Sequence, residues 1–424
     1  MTICRTFRAV ISSLSSKGFG IFSYIEESKK SCEAEVFNAL PGEKVLIEKC
    51  VTKNKKNFQI VELLKASQGR QESPCSYFGS CGGCQTLHMS DQLQKGFKRQ
   101  KIVNYLKDEN LECPEVRPVE IYGRQTRRRF RFEFIKTKNS VKIGLRKYNS
   151  HKVIDLNDCY VADQKVSNLL TPLKTFLVNL VPESFKATIT VLLVENGLDI
   201  SASSDSPGCF FLEQAEVKNF MGKHHIARFM FDDEEFIFES PYIILDGLKV
   251  NVPPQAFLQA SKQSEKAMQE IVKSLCSEVG NIKKIVDLYC GLGTFLIPLT
   301  PYYTVHGFEV NEQAVKSLKS ALGTKANNAK VYARDLVASP LKENELNEYQ
   351  VAILNPPRVG VSKIQLIEIS KSKIKSLVYI SCNPETLARD CKMLSDGFLL
   401  KKIFPVDQFY GSYHIEVVAF LERP

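Results

Sequence analysis

Three cysteines stand close together early in the chain: Cys75, Cys81 and Cys84. Glycines loosen the segment between the last two, so the three thiolates can wrap around one small metal centre, and Cys159 is a plausible fourth ligand. A [4Fe–4S] cluster takes one cysteine on each iron, whereas structural zinc usually takes two short pairs. Three close cysteines and one distant cysteine therefore favour an iron–sulfur cluster over zinc, and unligated core cysteines are the third interpretation.

Another cysteine, Cys382, ends a short apolar run at residues 377–382. A single cysteine in such a run is usually an inert core residue. That interpretation is disfavoured here, because two other apolar runs of the same region end in a glycine loop and in a Pro-Pro turn. Further on, Glu416 has apolar neighbours, which raise the pKa of a carboxyl group and suit it to act as a base. By itself, Glu416 would more often be an ordinary surface acid.

The segment 286–295 predicts a strand that runs into a glycine turn and then a helix, and Glu309 ends the next apolar run. Carboxylates at that position bind ribose hydroxyls in nucleotide-like cofactors. The third glycine of a dinucleotide-binding fingerprint is missing, since Leu296 occupies its place, and this disfavours a pyrophosphate ligand. S-adenosylmethionine has a ribose and no phosphate, so it suits this shortened loop.

Two prolines follow Asn355 directly after a further apolar run. Prolines fix the backbone, so Asn355 is held rigidly at the carboxyl end of a strand. Ligands gather at that edge in open α/β sheets. A purely structural Pro-Pro turn is the alternative.

From about residue 262 onward, the segments that carry these residues alternate between helical stretches and short apolar runs. Nearly continuous apolar runs are typical of strands buried on both faces of a parallel sheet. The helical stretches between them predict a doubly wound α/β domain. The predicted strands cover residues 285–289, 305–309, 351–354 and 377–380.

The earlier part of the chain is richer in strands. Residues 1–66 predict short strands broken by turns, as in a small basic β-barrel. Such barrels often bind nucleic acid, and a merely solvated barrel is equally compatible. After a predicted helix at 91–107, residues 129–134 alternate charged side chains with phenylalanines. This pattern predicts a half-buried strand, whose outward arginines either face solvent or contact phosphates and bases.

Composition limits the class of protein. The 424 residues are 44% hydrophobic and carry 57 Lys and Arg against 47 Asp and Glu, a net charge of +10. This composition is typical of a globular protein, and the positive excess favours a polyanionic partner. We find no export signal and no apolar segment that could span a membrane, so we expect a cytoplasmic protein. Disulfides are rare there, and clustered cysteines are first interpreted as metal ligands or nucleophiles.

Taken together, the motifs resemble the RNA uracil-C5 methyltransferases, and most closely the 23S ribosomal RNA branch with its TRAM domain and iron–sulfur cluster. The resemblance covers nearly the whole chain. It implies a C-terminal Rossmann-like methyltransferase domain (255–424), an N-terminal TRAM barrel (1–66) and a mixed α+β domain with the cluster (67–254). It also implies that the helix at 91–107 packs on the C-terminal domain. The matching segments include the four cysteines, 255–259, 287–294, 355–358, 381–384 and 414–416.

The same resemblance implies roles for individual residues. Cys382 would be the nucleophile that adds to carbon 6 of uracil, and Glu416 the base that removes the proton from carbon 5. A [4Fe–4S] cluster would be bound by Cys75, Cys81, Cys84 and Cys159. The S-adenosylmethionine pocket would be lined by Gln259, Tyr289, Thr294, Glu309, Asp335 and Asn355. We expect an RNA substrate, with ribosomal RNA favoured over other RNA, and we expect a monomer.

One residue departs from the family pattern, which has Asp-Pro-Pro-Arg where this chain has Asn355-Pro-Pro-Arg. Asparagine keeps an acceptor oxygen and loses the charge, so a catalytically impaired RNA-binding homologue is an alternative. Asn-Pro-Pro also occurs in methyltransferases of exocyclic amines, although those have an aromatic residue where Arg358 stands and need no nucleophilic cysteine. A transfer RNA uridine methyltransferase is a further alternative. It is disfavoured because that branch lacks the TRAM domain and the cysteine set.

Overall fold

β-sheets form the framework of the protein, and helices pack against the two largest of them. The computed structural model describes residues 3–26, 30–52, 55–112, 115–206, 213–323 and 328–424. In these ranges the strands form two three-stranded sheets, a seven-stranded sheet, a two-stranded hairpin and an eight-stranded sheet. Of the helices in the described ranges, none is both long enough and apolar enough to cross a membrane.

Six antiparallel strands build the N-terminal part. They are β1 (Ile3–Val10), β2 (Ser13–Leu14), β3 (Gly20–Ile25), β4 (Ser31–Val36), β5 (Lys44–Thr52) and β6 (Lys55–Lys65). One sheet has the order β1-β5-β6 and the other β2-β3-β4, and they share a core that includes Phe22, Val45 and Ile47. Contacts of β1 with β3 and of β4 with β6 bring the two sheets together, the arrangement expected of a small barrel.

The first long helix, α1 (Asp91–Asp108), joins an early segment of the chain to a late one. Ser90 caps its N-terminus by accepting a hydrogen bond from the Leu93 N–H. The buried residues of α1 recur at helical spacing, and Ile102 and Leu106 pack in the same cluster as Leu387 of the C-terminal part. A short strand, β7 (Glu120–Ile121), then pairs with the outer edge of the C-terminal sheet.

The middle of the chain forms a seven-stranded sheet with two helices against it. Its elements are β8 (Arg129–Thr137), β9 (Ser140–Arg146), β10 (Val153–Asp155), α2 (Gln164–Leu180), β11 (Phe185–Val194), β12 (Gly197–Ser204), α3 (Gln214–Lys223), β13 (Ile226–Phe231) and β14 (Glu234–Ile237). The order is β10-β9-β8-β11-β12-β13-β14. The predicted alternation in β8 is confirmed, since Phe130, Phe132 and Phe134 are buried while Arg131 is exposed.

The C-terminal part contains the eight-stranded sheet, in the order β19-β18-β17-β20-β21-β23-β22-β7. The remaining elements are β15 (Tyr242–Leu245), β16 (Leu248–Asn251), α4 (Lys262–Glu278), β17 (Lys284–Leu288), a 3₁₀ turn (Ile297–Leu299), β18 (Thr304–Glu309), α5 (Glu312–Leu322), β19 (Ala329–Ala333), α6 (Glu343–Leu346), β20 (Val351–Leu354), α7 (Lys363–Lys371), β21 (Ser376–Ser381), α8 (Pro384–Leu394), β22 (Leu399–Asp407) and β23 (Glu416–Glu422). Strands β17 to β21 are mutually parallel, and β23 runs antiparallel to β21. The four predicted buried strands are therefore confirmed.

Two hydrophobic clusters cover the two faces of this sheet. Neighbouring residues of β17 alternate between them, with Ile285 in one cluster and Val286 in the other. Helices α4 and α5 pack on the first face, and α1, α7 and α8 on the second. The hairpin β15–β16 also packs on the first face through Ile243 and Val250, although it precedes the domain boundary predicted at residue 254.

A buried ion pair fixes α1 to the C-terminal sheet. The Lys98 ammonium lies 2.6 Å from a carboxylate oxygen of Asp407, at the end of β22, and both side chains are inaccessible to solvent. The same ammonium donates a hydrogen bond to the Phe409 carbonyl. The pair spans more than three hundred residues of sequence, so it holds an early helix against the loop that precedes Glu416.

We predict that Lys98→Met destabilises the protein by about 3–5 kcal/mol, because it leaves the buried Asp407 carboxylate without a counter-charge. Adding Asp407→Asn should recover much of that loss. Urea unfolding followed by circular dichroism measures both variants. The exposed pair Lys284–Glu348 is the control, and Lys284→Met should cost no more than about 1 kcal/mol. An equal effect of the two lysine substitutions would contradict this account of helix docking.

Candidate active site

The predicted site residues of the C-terminal part meet at one edge of the eight-stranded sheet. Parallel strands end there together, and β23 begins there because it runs in the opposite direction. Ser381 pairs with Val417, so Cys382 and Glu416 follow one step beyond the last paired position. Around this edge the structure places Tyr289 and Thr294 after β17, Glu309 at the end of β18, Asp335 after β19, Asn355 after β20, Cys382 after β21 and Glu416 at the start of β23.

The turn after β17 is built by glycines that hold the chain close to Glu309. Gly291 and Gly293 have φ angles of 55° and 89°, a region that side chains other than glycine disfavour. A β-carbon at Gly293 would also lie 2.7 Å from the Leu318 side chain. Glu309 accepts a hydrogen bond from the Gly291 N–H at 3.0 Å and another from the Asn311 N–H at 2.9 Å. The carboxylate is thus fixed against the glycine turn.

Two buried polar groups beside this turn lack partners. Neither carboxylate oxygen of Asp287 nor the hydroxyl of Tyr289 has a hydrogen-bond partner among the described residues. Burial raises the pKa of Asp287 well above its usual value, the Glu309 carboxylate adds to this shift, and the nearby Leu296 N–H opposes it without reaching hydrogen-bond geometry. Burial also raises the pKa of Tyr289 to about 12. Because an unpaired buried polar group costs about 1–3 kcal/mol, the pair suits a ligand that brings polar groups of its own.

Asp287 was missed as a site residue from the sequence, although it lies within the glycine motif. The available signal was an acid within an otherwise apolar predicted strand, because acids are rarely fully buried unless they are paired. The other residues predicted to line the pocket have defined contacts. Asp335 accepts hydrogen bonds from the Val337 and Ala338 N–H groups. The Asn355 N–H donates to the Leu288 carbonyl and ties the two strand ends together.

The Cys382 thiol is half-buried and lies between two charged groups. Burial raises its pKa, the Glu416 carboxylate raises it further, and a hydrogen bond from Arg358 lowers it. The Arg358 guanidinium is also 2.9 Å from a ring nitrogen of His414. Burial and the charge of Arg358 lower the pKa of His414 to about 3, so the ring is neutral and can accept this hydrogen bond. Arg358 is therefore oriented by His414 and favours the thiolate.

The Glu416 carboxyl is buried and faces this thiol. Burial raises its pKa to about 7, against the opposing effects of a hydrogen bond from Gln408 and the charge of Arg358. The Gln408 side-chain amide donates to one Glu416 oxygen at 2.7 Å and to the Gln259 side-chain oxygen at 2.9 Å. A thiol and a carboxyl that titrates near neutrality can act in sequence, as nucleophile and as base. The roles of Arg358, His414 and Gln408 were not predicted from the sequence.

Four cysteines of the N-terminal half line a separate cavity of about 210 Å³. Arg127 and Phe130 line the same cavity. Burial raises the pKa of Cys84 and brings that of Cys159 to about 11, and the neighbouring thiols add to both shifts. The segment after Cys84 reaches the loop that precedes Glu416, since the Gln85 and Thr86 N–H groups both donate to the Gly411 carbonyl. The four predicted ligands that line this cavity are Cys75, Cys81, Cys84 and Cys159.

Cys4 and Cys50, for which no role was predicted, form a disulfide. Cys4 of β1 and Cys50 of β5 are directly opposite in the strand register, and their sulfurs are bonded. Together with Glu48 they form the one group of three or more Cys, His, Asp or Glu ligand atoms within 4.8 Å of one another in the described residues. This pair was not predicted, because disulfides were expected to be rare. The strand register that places the two cysteines opposite each other becomes visible only in the tertiary structure.

The eight-stranded sheet, with its switch point between β17 and β20 and its helices on both faces, has the fold of S-adenosylmethionine-dependent methyltransferases. A solved structure with this fold is the Pyrococcus abyssi tRNA (uracil-54, C5)-methyltransferase in complex with S-adenosyl-L-homocysteine. It is similar over 98% of this chain and 100% of that chain, with a TM-score of 0.73 and 22% sequence identity. That similarity concerns the fold.

Sequence comparison identifies the family. The model of the family described as tRNA (uracil-5-)-methyltransferase matches residues 90–424. An uncharacterized RNA methyltransferase of Agrobacterium fabrum is 34% identical over 91% of this chain and 93% of its own length. One from Brucella suis is 32% identical over 100% of this chain and 99% of its own length. The chain belongs to the tRNA (uracil-5-)-methyltransferase family.

Proposed function

We propose that this protein transfers a methyl group from S-adenosylmethionine to carbon 5 of a uridine in RNA, with 23S ribosomal RNA as the target. The main support for this proposal is that Cys382 and Glu416 lie next to each other, at the ends of two adjacent antiparallel strands. A methyltransferase of exocyclic amines needs no nucleophilic thiol, so this pair favours chemistry on a ring carbon. The partnerless Asp287 and Tyr289 lie beside the glycine turn near the same edge.

The thiolate of Cys382 forms a bond to carbon 6 of the uracil ring, which makes carbon 5 nucleophilic. Carbon 5 then takes the methyl group, and Glu416 accepts the proton that carbon 5 still carries. The electrons of that C–H bond restore the ring double bond as the bond between carbon 6 and sulfur breaks. Arg358 favours the thiolate at the start and at the end of the cycle. Because Glu416 has a pKa of about 7, its basic form increases as the pH rises through neutrality.

The residues around the glycine turn fit S-adenosylmethionine, which supplies the methyl group. Asp287 and Tyr289 offer unpaired polar atoms, and Asp287 can accept hydrogen bonds from an amino group. Glu309 lies where carboxylates of this fold bind ribose hydroxyls. We assign the pocket to the six residues that the sequence singled out: Gln259, Tyr289, Thr294, Glu309, Asp335 and Asn355.

The cysteine cavity fits an iron–sulfur cluster better than a zinc ion. A tetrahedral zinc with bonds of about 2.3 Å to sulfur holds its ligands about 3.8 Å apart. In the described residues, no three of the four cavity sulfurs lie within 4.8 Å of one another, so the set is spaced for a larger centre. We assign a [4Fe–4S] cluster to Cys75, Cys81, Cys84 and Cys159. Its role is structural, since the loop that it would brace touches Gly411 and the proposed cycle has no redox step.

Basic and aromatic side chains beside the site support an RNA substrate. Phe257 is 64% exposed, and the Arg129 guanidinium lies 5.6 Å from its ring centre. Exposed aromatic rings and arginines stack on unpaired bases, and arginines also bind phosphates. A target uridine must leave its stack to reach Cys382. We assign residues 1–66 to an RNA-binding barrel, residues 67–254 to the cluster domain and residues 255–424 to the catalytic domain of a cytoplasmic monomer.

A transfer RNA target is the second candidate. The family description and the Pyrococcus abyssi enzyme both name transfer RNA. The solved structure is similar over 98% of this chain, so the same overall fold is compatible with an enzyme that acts on transfer RNA. The presence of an N-terminal barrel is therefore weaker evidence against a transfer RNA target than the sequence suggested.

We predict that deletion of the gene removes 5-methyluridine from one or two positions of 23S ribosomal RNA. The wild-type gene and Cys32→Ala, which changes a cysteine of the barrel, should restore the modification. Cys382→Ala should not, because the ring cannot be activated. Mass spectrometry of ribosomal and transfer RNA digests measures the outcome. Loss of 5-methyluridine from transfer RNA alone would identify transfer RNA as the substrate.

We predict that a 23S ribosomal RNA transcript made with 5-fluorouridine forms a covalent adduct with the wild type, because fluorine cannot leave as a proton does. Denaturing gels measure the adduct.

On ordinary RNA, Asn355→Asp should change the single-turnover rate by about tenfold or less, since the amide keeps an acceptor for one hydrogen bond. An inactive wild type that Asn355→Asp restores would identify an impaired homologue. Full activity of Cys382→Ala would exclude the proposed chemistry.

We predict that protein purified without oxygen is brown and contains about four irons and four sulfides per chain. Cys159→Ser should lose the iron as completely as Cys81→Ser, because each would remove one ligand of the same centre. Cys4→Ser changes a cysteine outside the cavity and should keep the iron. Metal analysis and visible absorption decide the matter. Stoichiometric zinc in colourless anaerobic protein would refute the assignment.

A further inference from the structure

Gln408 occupies a buried position between Glu416, the assigned base, and Gln259, a residue of the assigned cofactor pocket. The residue is 2% exposed and lies just after β22. Its carbonyl oxygen accepts hydrogen bonds from the Ala260 N–H at 2.9 Å and from the Ser264 hydroxyl at 3.1 Å. Its amino group donates to Gln259 at 2.9 Å and to Glu416 at 2.7 Å. All of the side chain's polar atoms are therefore engaged.

These contacts fix which way the Gln408 amide points. A backbone N–H only donates, so the atom of Gln408 that faces Ala260 has to be the carbonyl oxygen. The amino group is then turned towards Glu416 and Gln259, and both must accept from it. A rotation by 180° would leave the Ala260 N–H opposite another donor inside a buried site, which is unfavourable. One oxygen of Glu416 is thus permanently occupied as an acceptor.

We propose that Gln408 is a positioning residue that orients the Glu416 carboxylate, so that its free oxygen receives the proton from carbon 5. The inference rests on the proposed function. Gln408 also connects the base to Gln259, a residue of the assigned cofactor pocket, so one amide sets the placement of the proton acceptor relative to the methyl donor. A glutamine that served only to fill the core would not need a donor aimed at a titratable carboxyl group.

The contact is compatible with the step that it would assist. When the C–H bond at carbon 5 breaks, the proton goes to the free oxygen of Glu416. The electron pair forms the ring double bond, and the bond from carbon 6 to the Cys382 sulfur breaks to release the thiolate. The Glu416 oxygen bound to Gln408 remains an acceptor before and after protonation. The hydrogen bond therefore persists through the transfer, and the site needs no reorganisation.

In the part of the chain that the structure describes, the charged and titratable groups that face Glu416 are the Arg358 guanidinium and the Cys382 thiol. Gln408 and Arg358 both lower the pKa of Glu416 against the effect of burial. Removing the Gln408 donor should therefore raise that pKa above its value of about 7. The fraction of basic Glu416 at neutral pH falls, so adduct resolution should need a higher pH than in the wild type.

The experiment compares Gln408→Met with wild type in single-turnover reactions, with an unmodified 23S ribosomal RNA transcript as the probe. Methionine has a similar length and shape and donates no hydrogen bond. The adduct should form at a near wild-type rate, whereas its resolution should slow roughly tenfold or more. The pH midpoint of resolution should rise. Gln408→Glu places a second carboxyl group beside Glu416 and should also raise the pH midpoint of resolution. It provides the test if Gln408→Met does not fold.

The matched control is Gln365→Met. Gln365 is equally buried, and its amide makes two hydrogen bonds with the Leu341 backbone away from the site. This variant should keep wild-type resolution and its pH midpoint. S-adenosylmethionine binding by calorimetry establishes that each variant is folded.

The variant Glu416→Gln distinguishes failure of the positioning role of Gln408 from failure of the base assignment of Glu416. If Glu416→Gln traps the adduct while both Gln408 variants resolve it with wild-type rate and midpoint, Gln408 is only a core residue and the base assignment stands. If Glu416→Gln itself resolves the adduct normally, the base assignment and the role of Gln408 are both overturned. Slowing that is equal in Gln408→Met and Gln365→Met, with no change of midpoint, would also refute the positioning role.

Discussion

Burial of the parallel strands on both faces is the constraint on which the site depends. Strands β17, β20 and β21 are enclosed by helices on each side, so their polar and reactive side chains can reach a ligand only at the strand ends. Asn355 and Cys382 follow such ends directly, and Glu416 begins the neighbouring antiparallel strand. A thiol, a carboxyl group and a glycine turn from separate segments therefore lie along one edge.

Early segments of the chain hold this edge in place. The Lys98–Asp407 ion pair anchors the loop that leads to Glu416, and the backbone after Cys84 binds the Gly411 carbonyl of the same loop. Arg128, just before β8, forms a buried ion pair with Glu265 of α4 and donates to the Gln259 carbonyl. The edge that carries Cys382 and Glu416 is thus braced by parts of the chain outside the eight-stranded sheet.

The electrostatics of the site follow from the same burial. Removal from water raises the pKa of both Cys382 and Glu416, because burial disfavours the charged form of each group. Arg358 lowers both values, and neutral His414 orients Arg358 without adding a charge. A single guanidinium therefore lowers the pKa of both the Cys382 thiol and the Glu416 carboxyl group.

The sequence by itself determined the family, the buried parallel strands and the alternating strand that starts at Arg129, because local periodicity and collinear motifs are written along the chain. It also singled out the residues that the structure places at the sheet edge, since motifs at strand ends signal where ligands gather. It did not find Asp287, His414 or Gln408 as site residues. Their importance lies in partners far away in sequence, such as Gln408 between Ala260 and Glu416. Only the tertiary structure decided those pairings, because burial and hydrogen-bond geometry depend on how distant segments pack.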